Sequence, residues 1–169
     1  LWQGEGLDEF NFTDFDNQLY LNASENAIRA EAISNVLYPN DNTEKGLMLR
    51  LKQQYFFCSA SLQDIVANYK KKYGSDFSKF AELYSIQLND THPVISIPEF
   101  IRIMKNNGVS FDKAFALAKK VFNYTNHTVM PEALEKWDCR LVEELLPEIY
   151  SIILQINEKL IAEMYTLDK

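Results

Sequence analysis

Two clusters of hydrogen-bonding side chains each follow a short apolar stretch of the sequence. Ile86 to Leu88 leads into Asn-Asp-Thr-His-Pro, and residues 121–124 lead into Thr-Asn-His-Thr. The chain has two histidines, His92 and His127, and both lie in these clusters. Each pattern is typical of a strand that ends in a polar loop before a helix. Because ligands of open α/β sheets bind beyond the carboxyl ends of parallel strands, we expect the clusters to converge on one pocket.

The residue types in the two clusters suit a ligand that is rich in hydroxyl groups. Asp90 and His92 can form a carboxylate and imidazole pair, while Asn126 and His127 add donors and acceptors. A structural interpretation stays open, in which Asp90 and Thr91 cap the next helix and His92 is a core residue. The recurrence of the pattern favours a sugar site.

Other chemistries have less support in the sequence. Two histidines and one carboxylate on separate loops lack the spacing of a zinc site. Neither Cys58 nor Cys139 lies in a CxxC motif, and no GxSxG, GxGxxG or Walker motif is present. Asp90 and Glu135 can in principle serve as the acid and base of a glycosidase, but their separation decides that chemistry and the sequence does not contain it.

The charge balance excludes some classes of partner. Lys and Arg number 17 against 24 acidic residues, and the net charge is −7 with a pI near 4.9. An acidic chain is a poor ligand for nucleic acid or an anionic membrane, so neither is expected as the main partner. No apolar run reaches the length of a membrane span, and no targeting segment is evident. We expect a cytoplasmic protein with two buried, reduced thiols.

Helical periodicity predicts most of the remaining elements. The sequence Ser96 to Glu99 has the capping-box pattern, and Ser110 is the expected cap of the following helix. Asn-X-Ser/Thr triplets, such as the one at Asn11, are interpreted as capping and turn chemistry rather than glycan acceptors. The sequence predicts an extended segment over 1–22 and helices over 23–38, 44–70, 77–84, 96–107, 111–120, 131–137, 139–146 and 147–165.

Two short strands among many helices predict a helix-rich α/β fold. No linker or repeat divides the chain, so residues 1–169 are expected to belong to one domain. A sheet of two strands leaves edges and apolar faces uncovered. Because the chain also begins without methionine, within what looks like a strand, we expect a piece of a longer protein. Self-association through the exposed strand edges is a further expectation.

Six motifs carry a resemblance to a known family. At these residues the chain closely resembles the α-glucan phosphorylases, which act on glycogen, starch and maltodextrin. The likeness covers essentially the whole chain, and the motifs are in family order and spacing. They are VLYPNDN (36–42), LRLKQQYF (49–56), LQD (62–64), IQLNDTHP (86–93), YTNHTV (124–129) and PEALEKW (131–137).

The resemblance implies a fold, an activity and a set of site residues. It implies part of the N-terminal domain of a GT-B-like, Rossmann-type enzyme. Such an enzyme splits α-1,4-glucan with phosphate, retains configuration and releases glucose 1-phosphate. The resemblance implies that His127 contacts the sugar at the catalytic subsite. It also implies that the backbone carbonyl of His127 lies near the developing oxocarbenium charge. The resemblance implies that Asp41 and Asn42 lie on a mobile gate loop that reaches the glucose. It also implies that Asp90, His92 and Glu135 line the adjoining cavity.

The resemblance also implies what this chain lacks. The family's pyridoxal phosphate is bound through a lysine in a C-terminal domain that has no counterpart here, so no cofactor is expected on this chain and the chain alone is expected to be inactive. Ala67 and Asn68 stand where animal enzymes carry two arginines of a nucleotide effector site, which implies a parent without AMP control. The parent is expected to be a homodimer. The alternative is a non-catalytic carbohydrate-binding or interaction module.

Overall fold

The computed structural model describes residues 2–6, 10–130 and 134–167, and the chain forms two compact units. The first unit covers residues 1–57 and the second covers 58–169. The division falls inside one long helix, α4, which runs from Glu44 to Tyr73. This helix was predicted over 44–70, and the three lysines at its end lie where the helix dipole favours positive charge.

The described part of the first unit contains three helices before α4. The predicted extended segment over 1–22 is wrong in part, because its second half forms two short helices. The Asn11 side chain caps the first of them by accepting a hydrogen bond from the Asp14 N–H. Residues 2–6 do run alongside the third helix, where the Gly4 N–H donates to Ser34 Oγ at 2.9 Å. The helices are α1 (Phe12–Asp16), α2 (Tyr20–Ala23) and α3 (Glu25–Asn35).

The second unit alternates helices with two strands. A 3-10 turn, His92–Ile95, joins the first strand to the next helix and is called the His92 turn below. In chain order the remaining elements are α5 (Phe80–Leu83), β1 (Ile86–Asn89), α6 (Ser96–Asn106), α7 (Phe111–Val121), β2 (Phe122–Thr125), α8 (Cys139–Leu145) and α9 (Pro147–Leu167).

The two strands pair in parallel, and their polar ends are level with each other. Ile86 lies opposite Phe122, and Asn89 lies opposite Thr125. Helices α6 and α7 form the crossover between them, as parallel pairing requires. The structure thus confirms the prediction of a helix-rich α/β chain with two short parallel strands.

The core of the second unit is built from the apolar faces of α6 and α7. Phe100 is fully buried in α6, and its ring lies 5.4 Å from that of Phe122 and 5.5 Å from that of Phe80. Helix α7 contributes Ala114 and Val121, seven residues apart and both fully buried. These contacts seat β2 and α5 against α6 and fix where the strand ends point.

Of two predicted helix caps, one is wrong and the other is confirmed in position only. Ser96 lies inside α6 rather than at its cap position, and no side chain caps that helix. The Glu99 carboxylate, predicted to bond back to the helix start, instead accepts from Ser59 Oγ. Ser110 does occupy the cap position of α7, but its side chain makes no capping bond. In the first case Ser59 of α4 and Arg102 of α6 bond to the Glu99 carboxylate in place of the local backbone.

Two further expectations are corrected in part. Of the predicted helix over 131–137, residues 131–133 lie outside the described part of the chain, and residues 134–137 are not helical. Cys58 is partly buried, but Cys139 is exposed, and both are free thiols. Among the described residues no helix is long and apolar enough to cross a membrane.

Candidate functional site

The parallel pairing of β1 and β2 places the two polar clusters side by side. The last residues of the strands, Asn89 and Thr125, are partners in the register. The Asp90 N–H donates to the Thr125 carbonyl at 2.9 Å, so the pairing continues one residue beyond β1. The Gln87 amide adds a side-chain bond to Thr125 Oγ1 at 2.8 Å. The two clusters therefore lie together at the carboxyl ends of both strands, as predicted, and a shared pocket between them stays a prediction.

Asp90 turns the chain sharply at the end of β1. Its φ is 68°, in the left-handed region that Asp and Asn enter more readily than other non-glycine residues. Its Oδ1 accepts a hydrogen bond from the Thr91 N–H at 2.8 Å. The backbone and the side chain of Asp90 are thus held together, and the second carboxylate oxygen is directed toward the other strand end.

That second oxygen faces the cluster that follows β2. Asp90 Oδ2 lies 3.7 Å from His127 Nε2 and accepts from Thr128 Oγ1 at 3.4 Å. Asn126 Oδ1 accepts from the Thr128 N–H at 2.9 Å and so shapes the loop. The His127 side chain is 61% exposed, whereas that of Asp90 is 25% exposed. The His127 imidazole is therefore exposed to solvent, with a less exposed carboxylate beside it.

A second pair of an imidazole and a carboxylate involves the turn that follows β1. His92, the first residue of the His92 turn, has Nε2 at 3.9 Å from Glu135 Oε1. The Glu135 side chain is only 12% exposed, and that of His92 is 43% exposed. The sequence predicted a pair of Asp90 with His92; the structure brings Asp90 to His127 and His92 to Glu135.

Sequence reasoning missed two features of this site. It did not identify the pairing of Asp90 with His127, which lie 37 residues apart and meet only because the strands align. It also passed over Gln87, which bonds to the opposite strand end. The available signal was its place in β1, since a residue two positions before Asn89 shares its face of the strand.

Asp41 and Asn42 belong to the first unit, just before α4. The Asp41 carboxylate pairs with the Arg50 guanidinium of α4. The Asn42 N–H donates to Asn40 Oδ1 at 3.0 Å, and Asn42 is exposed. The loop is thus held by local bonds, and the gate role expected for these two residues stays a prediction.

The donor set at the strand ends suits hydroxyl groups. Two imidazoles can each donate and accept a hydrogen bond, and the neighbouring carboxylates and amides extend that capacity. In the described part of the chain, no group of three or more His, Cys, Asp or Glu side chains is placed to hold a metal ion.

Comparison with known proteins identifies the family. The sequence model of the carbohydrate phosphorylases matches residues 1–168, which is nearly the whole chain. The chain belongs to the carbohydrate phosphorylase family. All six motifs, and all the candidate site residues, lie within the matched region.

Individual phosphorylases are similar over almost the whole chain. Glycogen phosphorylase 2 of Dictyostelium discoideum is 51% identical over 160 residues, which cover 94% of this chain and 16% of that protein. The liver form of human glycogen phosphorylase is 47% identical and the H isozyme of wheat alpha-glucan phosphorylase is 43% identical; in each case the match covers 94% of this chain and 20% of the relative. The chain thus spans a fifth or less of the length of these phosphorylases.

Proposed function

We propose that this chain supplies the sugar-binding side of the active site of a phosphorylase that cleaves α-1,4-glucan with phosphate, releasing glucose 1-phosphate with retention of configuration. The family membership and the names of the relatives support the reaction class. The observation that carries the proposal for this chain is the exposed His127 imidazole, placed beside Asp90 at the ends of two parallel strands.

His127 is the residue that we assign to direct contact with the sugar. Its imidazole can donate to one hydroxyl and accept from another. The Asp90 carboxylate, held by the Thr91 N–H, lies 3.7 Å from the ring and is proposed to orient it. Asn126, His92 and Glu135 extend the hydrogen-bonding surface along the same edge. The backbone carbonyl of His127 is the proposed support for the developing oxocarbenium charge.

Asp41 and Asn42 are proposed to close over the bound sugar. A loop that closes on substrate excludes water, and water would otherwise hydrolyse a reactive glycosyl species instead of leaving it to phosphate. The pairing of Asp41 with Arg50 at the start of α4 gives this loop a fixed base. Exposed Asn42 is the residue of the loop that we assign to the sugar.

The described lysines do not fit the pyridoxal phosphate that the family implies. An imine-forming lysine lies in a desolvated pocket, but every described lysine other than Lys52 is exposed. Lys52 is partly buried within the apolar stretch of α4. We therefore propose that the cofactor binds elsewhere in a GT-B-like, cytoplasmic, homodimeric parent, and that the chain alone does not catalyse phosphorolysis.

Phosphorolysis of maltoheptaose tests the proposed role of His127. In the complete enzyme, or in this chain combined with its cofactor-bearing polypeptide, glucose 1-phosphate release is measured for the wild type and for His127→Ala. We expect kcat/KM to fall about 100-fold, the loss typical of one transition-state hydrogen-bonding group. Lys113→Ala, an exposed change on α7, serves as the control and should leave the rate unaltered.

Two outcomes would contradict the proposal. Unchanged kcat/KM in His127→Ala would remove His127 from the sugar site. Maltoheptaose binding by the chain without phosphorolysis, in the presence of a cofactor-loaded partner polypeptide that assembles with it, would favour a non-catalytic carbohydrate-binding module.

A further inference from the structure

A fully buried carboxylate lies at the centre of a network that joins three helices. Glu99 of α6 is 0% exposed. Its Oε1 accepts from Ser59 Oγ of α4 at 2.6 Å and from Arg102 Nη2 at 2.8 Å, and its Oε2 accepts from Arg102 Nε at 2.7 Å. Gln63 donates to Ser59 Oγ at 2.9 Å, and Arg102 Nη1 lies 3.9 Å from the carboxylate of Glu148 in α9.

These contacts converge on the first turn of α6. A second bond from α4 reaches the same turn, because the Cys58 thiol is hydrogen-bonded to the Ser96 side chain. Ser96 also closes the His92 turn, since its backbone N–H donates to the carbonyls of Pro93 and Val94. The carboxylate of Glu99 is further favoured there by the positive end of the helix dipole.

The chain between this anchor and the strand ends is short and internally bonded. The His92 turn occupies residues 92–95, and α6 begins at the next residue. Within it the Val94 N–H donates to the Thr91 carbonyl at 3.1 Å, and Pro93 restricts the backbone. Because this connection has little freedom to adjust, a displacement of the first turn of α6 also displaces His92.

The cost of burying a charge indicates that this network does more than hold helices together. Desolvating a carboxylate is expensive, and apolar residues of similar volume commonly stabilise a core equally well or better. The hydrogen bonds of a buried carboxylate, however, form only when its partners lie in one particular arrangement. Here that arrangement sets Ser59, Arg102 and the start of α6 relative to one another.

We propose that Glu99 is a positioning residue of the strand-end site, which holds the His92 turn through the first turn of α6 and so keeps His92 beside Glu135. The effect of Glu99 on sugar binding rests on the proposed function, whereas its effect on the position of His92 does not. In this proposal Glu99 acts on His92 through the backbone of the turn.

The two histidines provide separate reporters for the test. Imidazole ¹H–¹⁵N spectra of the full chain are recorded for the wild type, Glu99→Gln and Ser59→Ala, with resonances assigned by His92→Gln and His127→Gln. We expect both network variants to shift the His92 signals by more than a linewidth and to leave those of His127 in place. Ile152→Val, in the same core, is the control for general destabilisation; it should lower the unfolding midpoint without moving His92.

The results separate positioning from ordinary stability. Equal His92 shifts in Glu99→Gln, Ser59→Ala and Ile152→Val would overturn the proposal, as would no shift in folded Ser59→Ala. In phosphorolysis assays, Glu99→Gln should raise KM for maltoheptaose several-fold more than it lowers kcat. The spectra involve no sugar, so an inactive wild-type assembly would count against the proposed function and leave the test of Glu99 intact.

Discussion

At the scale of single residues, Asp90 links the backbone of one strand end to the side chains of the other. Its left-handed φ turns the chain after β1, and its two carboxylate oxygens reach Thr91 and the cluster of Thr128 and His127. A residue at this position must therefore tolerate a positive φ and offer a hydrogen-bond acceptor. Asparagine satisfies both demands, glycine only the first, and alanine neither.

This reasoning predicts the order of stability of Asp90 variants. Asp90→Ala should lower the free energy of unfolding by about 1–2 kcal/mol, because it adds left-handed strain and removes the acceptor for the Thr91 N–H. Asp90→Asn should cost less, since it keeps the conformation and one acceptor oxygen. Urea denaturation followed by circular dichroism measures both variants. Equal stability of the two would show that neither backbone strain nor the Thr91 bond matters.

The two cysteines should differ in reactivity. Burial raises the pKa of the Cys58 thiol; the hydrogen bond to Ser96 opposes this shift and the Glu99 carboxylate adds to it. Since the thiolate is the reactive form, a raised pKa leaves less of it at about pH 8, and the rate should climb as the pH rises further. With a thiol-specific chromogenic reagent, exposed Cys139 should react first. In Cys139→Ser only the slow reaction of Cys58 should remain. If the variant shows no slow reaction, the prediction is contradicted.

At the scale of elements, α6 is the part on which the site depends. Its N-terminus continues the His92 turn, its buried face carries the ring contacts of Phe100, and its first turn holds Glu99. The apolar spacing of α6 was visible in the sequence. The function of its polar residues was not, because Ser96 and Glu99 have the pattern of a local cap yet bond to another helix.

Truncation of Phe100 should therefore destabilise the second unit strongly. Phe100→Ala removes a fully buried ring that contacts both Phe80 and Phe122, and the expected loss is about 3–5 kcal/mol. Leu154→Ala, on a 46% exposed position of α9, is the control and should change stability by about 0.5 kcal/mol or less. Thermal and urea unfolding report both. A small loss in Phe100→Ala would mean that the neighbouring rings collapse to fill the space.

At the scale of the whole molecule, net charge and exposed apolar surface act in opposite directions. The net charge of −7 keeps copies apart near pH 7. The second half of α9 exposes apolar side chains that favour association. These side chains are Leu160, Ile161, Met164 and Tyr165.

We predict association that depends on concentration and increases as the pH falls toward the pI near 4.9, where the repulsion disappears. Light scattering across concentration at about pH 7 and about pH 5 measures it. Leu160→Lys places a charge on the exposed face of α9 and should reduce association at pH 7. A monomeric mass under every condition would contradict the prediction.

The sequence by itself determined the longer helices, both strands and the family. Apolar spacing is a local property, so it located α4, α6, α7 and α9, and the polar endings located the two clusters. The resemblance of six ordered motifs named the α-glucan phosphorylases, and family comparison confirmed that membership.

Only the tertiary structure decided which side chains meet. The pairing of Asp90 with His127, and of His92 with Glu135, depends on the parallel register of β1 with β2 and on the loop that follows β2. The Glu99 network likewise depends on how α4 packs against α6. Contacts between residues distant in sequence follow from packing and burial, which a local pattern does not encode, and this is why the capping box at Ser96 was mispredicted while the bounds of α4, α6, α7 and α9 were close to those observed.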